Sequence, residues 1–433
     1  MKNKIVFIAL CITICCASCK STNKTNSISQ TESDEYVSGL GKLEVSTYKG
    51  LLPAASCPGI EYLLTIRHHE HSGDGTFSLR LTYKEAENGK DKTFAYIGKR
   101  FTQRGIPEDD NATVWQCISN DGKHIFNFLW EDETKLLLLN DKFEKPKSSL
   151  NYILTSLTKV LTDSISHYAA SCPGEIGVGI IINNTDTIAV NNKSIYPMMS
   201  VFKVHQALAV CHKFDQKGLS LDTLLYIQRQ NLDPKTWSPM LKEHLEPSFT
   251  LSVKDLLRYT LTQSDNNASN LMFERLVDVA ETDSFIATII PRSSFQIAYT
   301  ESEMAADHAK AYSNYTSPLG AAILMNKLFT ENLISREKQD FIKKTLGECE
   351  TGKDRIVAPL LGKKGISIAH KTGSGYTENG ILAAHNDVAY ICLPNGIQYA
   401  LAIFIKDFKG NEPQASQVAA KMSATIYSLL QDN

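Results

Sequence analysis

The stretch whose reading decides the fold is Tyr196-Pro197-Met198-Met199-Ser200-Val201-Phe202-Lys203. Apolar residues recur from it at Val201, Val204, Ala207, Leu208 and Cys211, the spacing of one helix face. Ser200 is therefore expected in the first turn of a helix, with Lys203 three residues on along the same side. That brings a hydroxyl and an amine into one pocket. A helix N-terminus favours negative charge developing beside the serine, and a lysine held neutral can take the serine proton. Alone the pattern is weak. Ser-x-x-Lys also starts at Ser21, Ser46, Ser156 and Ser335, where solvated charges and chance are explanation enough.

Two further stretches choose among the five. Ser264-Asp265-Asn266 stands between a helix expected over Val253 to Leu261 and another beginning near Ala268. By itself it also reads as an ordinary helix cap. Lys371-Thr372-Gly373-Ser374-Gly375 follows the apolar run Ile366 to His370. A strand ending in small residues lets a ligand approach its edge closely, although a Gly-rich hairpin tip has the same composition. All three in this order are much harder to obtain by chance than any one of them.

Outward from these motifs the chain alternates between helix and strand. Ile153, Leu157, Val160, Leu161 and Ile165 predict a helix over Ser148 to Ala170, capped by Ser148 or Ser149 and stopped by Cys172-Pro173-Gly174. Strands are expected at Ile176–Ile182 and Thr187–Val190, then several helices, then strands at Val388–Leu393 and Tyr399–Ile405. A last helix runs from about Gln414 to Leu430. This order predicts an α+β domain: an antiparallel sheet flanked by terminal helices, with an inserted helical lobe.

Upstream, Tyr36 to Asn140 reads as short strands and turns. Leu63–Ile66 and Phe77–Tyr83 flank the turn signal Ser72-Gly73-Asp74-Gly75, and His124–Trp130 with Lys135–Leu139 forms a second pair. A small antiparallel barrel or sandwich follows, bounded by the charged stretch Asp141–Lys147. Lys2 and Lys4 precede an apolar run, Ile5–Ile14, and then Cys15-Cys16-Ala17-Ser18-Cys19. A positive start, a short apolar core and small residues before a cut describe a secretory signal over residues 1–18. The run is too short to span a membrane, which takes about 20 apolar residues. Ser/Thr/Asn-rich residues 19–35 read as a tether.

Composition narrows the partners. With 45 Lys+Arg against 47 Asp+Glu, the chain lacks the basic excess that a nucleic-acid partner calls for. Its 433 residues leave room for two domains. Beyond Cys19 the cysteines are Cys57, Cys117, Cys172, Cys211, Cys349 and Cys392, without CxxC or metal-ligand spacing. A Cys57–Cys117 bridge is open in an oxidising compartment; buried free thiols are the preferred reading.

The ordered motifs resemble the penicilloyl-serine transferases, the family of β-lactamases and penicillin-binding proteins. Within it, Ser148 to Asn433 is most similar to the CfxA- and PER-type class A β-lactamases. The strings that carry this are Tyr196–Lys203, Asp233-Pro234-Lys235-Thr236-Trp237-Ser238-Pro239, Ala298–Met304, Lys371–Gly375 and Ala383–Val388. The resemblance implies a β-lactamase/transpeptidase-like domain over 148–433. It implies Ser200 as the acylated nucleophile and Lys203 as the acceptor or relay of its proton. Ser264 would protonate the departing ring nitrogen, and Asn266 would hold the acylamide side chain. Lys371, Thr372 and Ser374 would hold the substrate carboxylate. Trp237 would stand at the cleft mouth, and the backbone N–H groups of Ser200 and Ser374 would form the oxyanion hole. Glu301 would activate the deacylating water, with Glu303 as the rival carboxylate. One departure is Ala305, where the usual loop has an Asn that helps to hold the water.

The expected substrate is therefore a β-lactam, with cephalosporins foremost, and no metal or other cofactor is required. Ala17-Ser18-Cys19 resembles a lipobox, although Cys16 stands where Leu is usual. Acylated Cys19 would anchor a monomeric enzyme at the periplasmic face of the outer membrane. Tyr48 to Ile60 resembles the start of an NlpE-type lipoprotein domain, taken here as 36–140, but Ala54 replaces the first Cys of that family's CxxC. His68-His69-Glu70-His71 offers metal-type donors, although polar residues at a hairpin tip account for it better. The rival readings are a DD-peptidase, which shares every motif but needs no Glu301, and a catalytically inactive envelope sensor.

Overall fold

The computed structural model describes residues 39–41 and 43–431. The expected signal, Cys19 and the tether lie outside them. From Leu43 to Ser156 the chain closes an eight-stranded antiparallel barrel: β1 (Leu43–Leu52), β2 (Ile60–His69), β3 (Gly75–Glu87), β4 (Lys90–Ile106), β5 (Asp109–Ser119), β6 (Ile125–Asp132), β7 (Lys135–Leu139) and β8 (Ile153–Ser156). Alternation along the strands sends Leu64 and Ile66 of β2 and Phe77, Leu79 and Leu81 of β3 into one core with Trp115 and Phe128.

The barrel corrects the expected start of the first helix. Residues 153–156 are not helical; they form β8, which pairs with β7 through Leu136↔Leu154 and with β1 through Tyr48↔Ser156. Without β8, both β1 and β7 would present open edges. Helix α1 starts only at Leu157 and runs to Ala170, with Ser156, not Ser148 or Ser149, before its first residue. The barrel therefore extends past the charged stretch 141–147 and joins α1 without a linker.

After α1 come β9 (Glu175–Ile182) and β10 (Asp186–Val190). They join a sheet in the order β10, β9, Gln398–Lys409, Ile381–Cys392, Ser367–Ser374, with Thr377–Glu378 paired to Ile381–Cys392. Every pairing is antiparallel. Nearly all of Ile381–Cys392 is buried, because both faces of the sheet are covered. Leu157, Leu161 and Ile165 of α1 pack with Met422 and Ile426 of the last helix, Glu412–Gln431, against one face. The helical lobe covers the other, centred on α2 (Lys203–Gln216), whose residues from Lys203 through Cys211 are all buried. Ser200 itself lies in a 3₁₀ turn, Met199–Phe202, that leads into α2.

The site forms where this turn meets the edge strand. A side chain added at Gly373 would meet Met198 O at 2.4 Å, so only glycine lets Ser367–Ser374 pass this close to the turn before Ser200.

Candidate active site

Two residues at the site hold left-handed backbone without being glycine: Met199, at φ 48°, and Ser264, at φ 60°. Such strain persists only where the surrounding structure enforces it. Here it turns the neighbouring hydroxyls inward. Ser200 Oγ donates to Glu301 Oε1 at 3.0 Å and accepts from Lys203 Nζ at 3.0 Å. Fully buried Lys203 also reaches Ser264 O at 2.8 Å, Asn266 Oδ1 at 2.6 Å and Glu301 Oε1 at 2.8 Å. A buried ammonium needs such partners, and every one of these belongs to the motifs themselves. The Ser200 proton thus points at Glu301, and Lys203 can take it only as a neutral amine.

Lys371 is also fully buried, and its Nζ donates to Ser264 Oγ at 2.9 Å and to Thr372 O at 2.8 Å. Burial pulls its ammonium down to about 7; the Cys349 thiol opposes this and the Lys203 charge adds to it. Ser264 therefore bridges the two lysines, its carbonyl toward Lys203 and its hydroxyl toward Lys371.

Asp265 caps the Asn266–Arg275 helix through Ala268 N at 2.8 Å. Its carboxylate also accepts from Ser238 Oγ and Met240 N, both at 2.8 Å, which ties the loop bearing Trp237 to the helix start. Trp237 is 54% exposed, its Nε1 donating to Gln263 O at 2.8 Å with Lys242 over the ring. Asn266 adds a bond from Nδ2 to Thr236 Oγ1 at 2.9 Å.

Glu301 opens the short helix Glu301–Ala306, capped by Thr300. Its rival Glu303 is exposed and spent on that cap, accepting from Thr300 N at 2.8 Å. Ala305 is exposed, and the segment is held instead by Asn270, which donates to Ser302 Oγ at 2.6 Å.

The fold brings Ser200, Lys203, Ser264, Asn266, Glu301 and Lys371 into one connected network. Thr372 and Ser374 lie on the other side of their strand from Lys371, since neighbours on a strand alternate. Thr372 Oγ1 meets Thr351 Oγ1 at 2.6 Å, and Ser374 Oγ accepts from Arg355 Nη2 at 2.6 Å. Thr351 and Arg355 are the site residues that sequence reasoning missed, whereas Asp265 takes the helix-cap role its motif offered. Buried Arg355 also donates to Asn386 O at 2.7 Å, and no spacing in Thr351-Gly352-Lys353-Asp354-Arg355 signals this.

In the barrel, His68 Nδ1 stands 3.0 Å from His69 O and His69 Nδ1 stands 3.2 Å from Gly41 O. Among the described residues no group of three or more His, Cys, Asp or Glu is arranged to hold a metal ion. The six cysteines from Cys57 to Cys392 are free thiols; Cys117, Cys211 and Cys349 are buried, the others partly exposed.

Comparison with known proteins divides the chain at the same place. The model of the beta-lactamase enzyme family matches residues 158–430, and that of the NlpE N-terminal domain matches 48–149. A β-lactamase of Phocaeicola vulgatus is 74% identical over 275 residues, which is 63% of this chain and 86% of that protein. The extended-spectrum β-lactamase PER-1 of Pseudomonas aeruginosa is 31% identical over 253 residues, 58% of this chain and 81% of that one. The crystal structure of a class A representative from Bacteroides cellulosilyticus matches with a TM-score of 0.60 at 27% identity, covering 64% of this chain and 99% of that one.

Proposed function

Because the chain belongs to the β-lactamase enzyme family and is a class A enzyme, we propose that it acylates Ser200 with the β-lactam and hydrolyses the ester with the help of Glu301. The Ser200 proton passes to Glu301 or Lys203 as Oγ attacks the lactam carbonyl. The oxyanion is held by the backbone N–H groups of Ser200 and Ser374, each worth about 2.7–4 kcal/mol in such a site. The C–N bond breaks, the ring nitrogen takes the hydroxyl proton of Ser264, and the proton taken from Ser200 passes through Lys203 to replace it, so that Glu301 is again a carboxylate. Glu301 then draws a proton from water, which attacks the ester carbonyl, and Ser200 leaves with its proton restored.

The observation that carries this reading is Glu301 Oε1 at 3.0 Å from Ser200 Oγ and 2.8 Å from Lys203 Nζ. A carboxylate there is not required for acylation alone, whereas hydrolysis requires one to activate water. Lys371, Thr372, Ser374 and Arg355 form the side that takes the substrate carboxylate, Asn266 holds the acylamide group, and Trp237 lines the entrance. Cephalosporins are the preferred substrates; the extended-spectrum name of the Pseudomonas relative supports breadth. Steady-state turnover of a chromogenic cephalosporin tests this. Wild type should turn over many equivalents and Ser200→Ala none. A wild type that binds one equivalent covalently and stops would be a DD-peptidase instead, and one that is not acylated at all a sensor.

The enzyme acts as a monomer, lipid-anchored through Cys19 at the periplasmic face of the outer membrane. Radiolabelled palmitate should mark the wild type and not Cys19→Ala; label on both, or on neither, would remove the anchor.

A further inference from the structure

Alternation puts His370, Thr372 and Ser374 on one side of the edge strand, facing the segment from Cys349 to Arg355. The two meet in two successive contacts: Thr351 Oγ1 meets Thr372 Oγ1 at 2.6 Å, and Arg355 Nη2 donates to Ser374 Oγ at 2.6 Å. Gly352, at φ 66°, allows the approach, since a side chain there would meet Thr372 Cγ2 at 2.3 Å. The segment is also fastened from behind: His370 Nδ1 lies 3.0 Å from Asp387 Oδ1, and Asp387 Oδ2 accepts from Ile356 N at 3.2 Å. His370, Asp387 and Cys349 are all buried, and none reaches the reacting atoms.

We propose that His370 is a positioning residue. The buried His370–Asp387–Ile356 line fastens segment 349–356 to the edge strand and thereby sets Thr372 and Ser374 for the substrate carboxylate. Burial alone would lower the imidazole's proton affinity, but the Asp387 carboxylate and the neighbouring Cys349 outweigh it and raise the group to about 10. It is thus an imidazolium that gives an N–H to Asp387, while Cys349 Sγ meets Thr351 Oγ1 of its own segment at 3.4 Å.

The inference rests on the proposed reading of the site, so its test separates the two. The full chain is assayed with a cephalosporin bearing its free carboxylate and with the methyl ester of the same compound. His370→Ala should raise KM for the acid by about tenfold while leaving kcat and the ester nearly unchanged. His370→Asn, which keeps an N–H toward Asp387, should recover most of that loss. Asp387→Asn keeps the side chain's shape while weakening its bonds to His370 and Ile356 N, and should move KM for the acid in the same direction by about threefold, even if His370→Ala fails to fold. Equal losses on acid and ester, a loss confined to kcat, or no change in Asp387→Asn would overturn the proposal. Turnover by Ser200→Ala would instead overturn the reading of the site on which it stands.

Discussion

At the scale of single residues, Lys371 carries a pH dependence whose sign is fixed. Burial has lowered its pKa to about 7 from the ordinary value near 10.5, so the folded site gives up this charge well before the unfolded chain would. KM for a carboxylated β-lactam should therefore climb as pH rises through about 7, while KM for the methyl ester stays level; parallel pH profiles of the two would contradict this. Asp265 makes a different prediction. Its buried carboxylate accepts from Ala268 N, Met240 N and Ser238 Oγ, so Asp265→Ala strands three donors. The loss should be at least about 2 kcal/mol in denaturant unfolding, with activity falling as the Trp237 loop loosens. Ser200, Lys203, Ser264 and Lys371 were legible because each stands in a short string with its own local pattern. Arg355 and Thr351 were not. Their partners, Ser374 and Thr372, lie on another segment, and contact between segments leaves no mark in local spacing.

Among elements, the edge strand and the turn before Ser200 are coupled through Gly373. Gly373→Ala would drive a methyl group into Met198 O, and the strand bearing Lys371 must move away. Acylation should slow by at least about tenfold, read by stopped-flow with a chromogenic substrate, and the thermal midpoint should fall. The first helix teaches where sequence reading stops. Ile153 fits helical spacing with Leu157 as well as it fits a strand. What decides is that β1 and β7 each lack a neighbour until residues 153–156 supply it. That demand comes from barrel closure, a property of the whole sheet. The paired strands β2–β3 and β6–β7 were legible because a turn signal or alternation marks each. The long β4–β5 pair carries Gly105 and Pro107 at its turn, but its Lys, Arg, Thr and Gln residues disguise the strands themselves.

For the molecule as a whole, the barrel and the catalytic unit share the junction Ser156–Leu157. A fragment of residues 36–156 should fold to a barrel with cooperative unfolding, whereas 36–140 lacks the closing strand and should not; equal behaviour by circular dichroism would refute the closure argument. Stability toward acid has its own signature. Burial lowers His205 to about 4 and His385 to about 3, with Arg355 also repelling charge on His385. Both stay neutral in the fold while the unfolded chain takes up protons near 6.5. Their contribution is full above about pH 6.5 and is lost as pH falls toward the folded values. The thermal midpoint should therefore drop between about pH 6.5 and 4, and less steeply in His385→Asn.

The central claim is that one carboxylate turns an acylating site into a hydrolytic one. Intact-mass spectrometry of Glu301→Gln after mixing with a cephalosporin tests it most directly. The account predicts a persistent adduct of one β-lactam, mapped by peptide digestion to Ser200, while wild type under the same conditions returns to its free mass. A Glu301→Gln protein that clears the adduct as fast as wild type would contradict it.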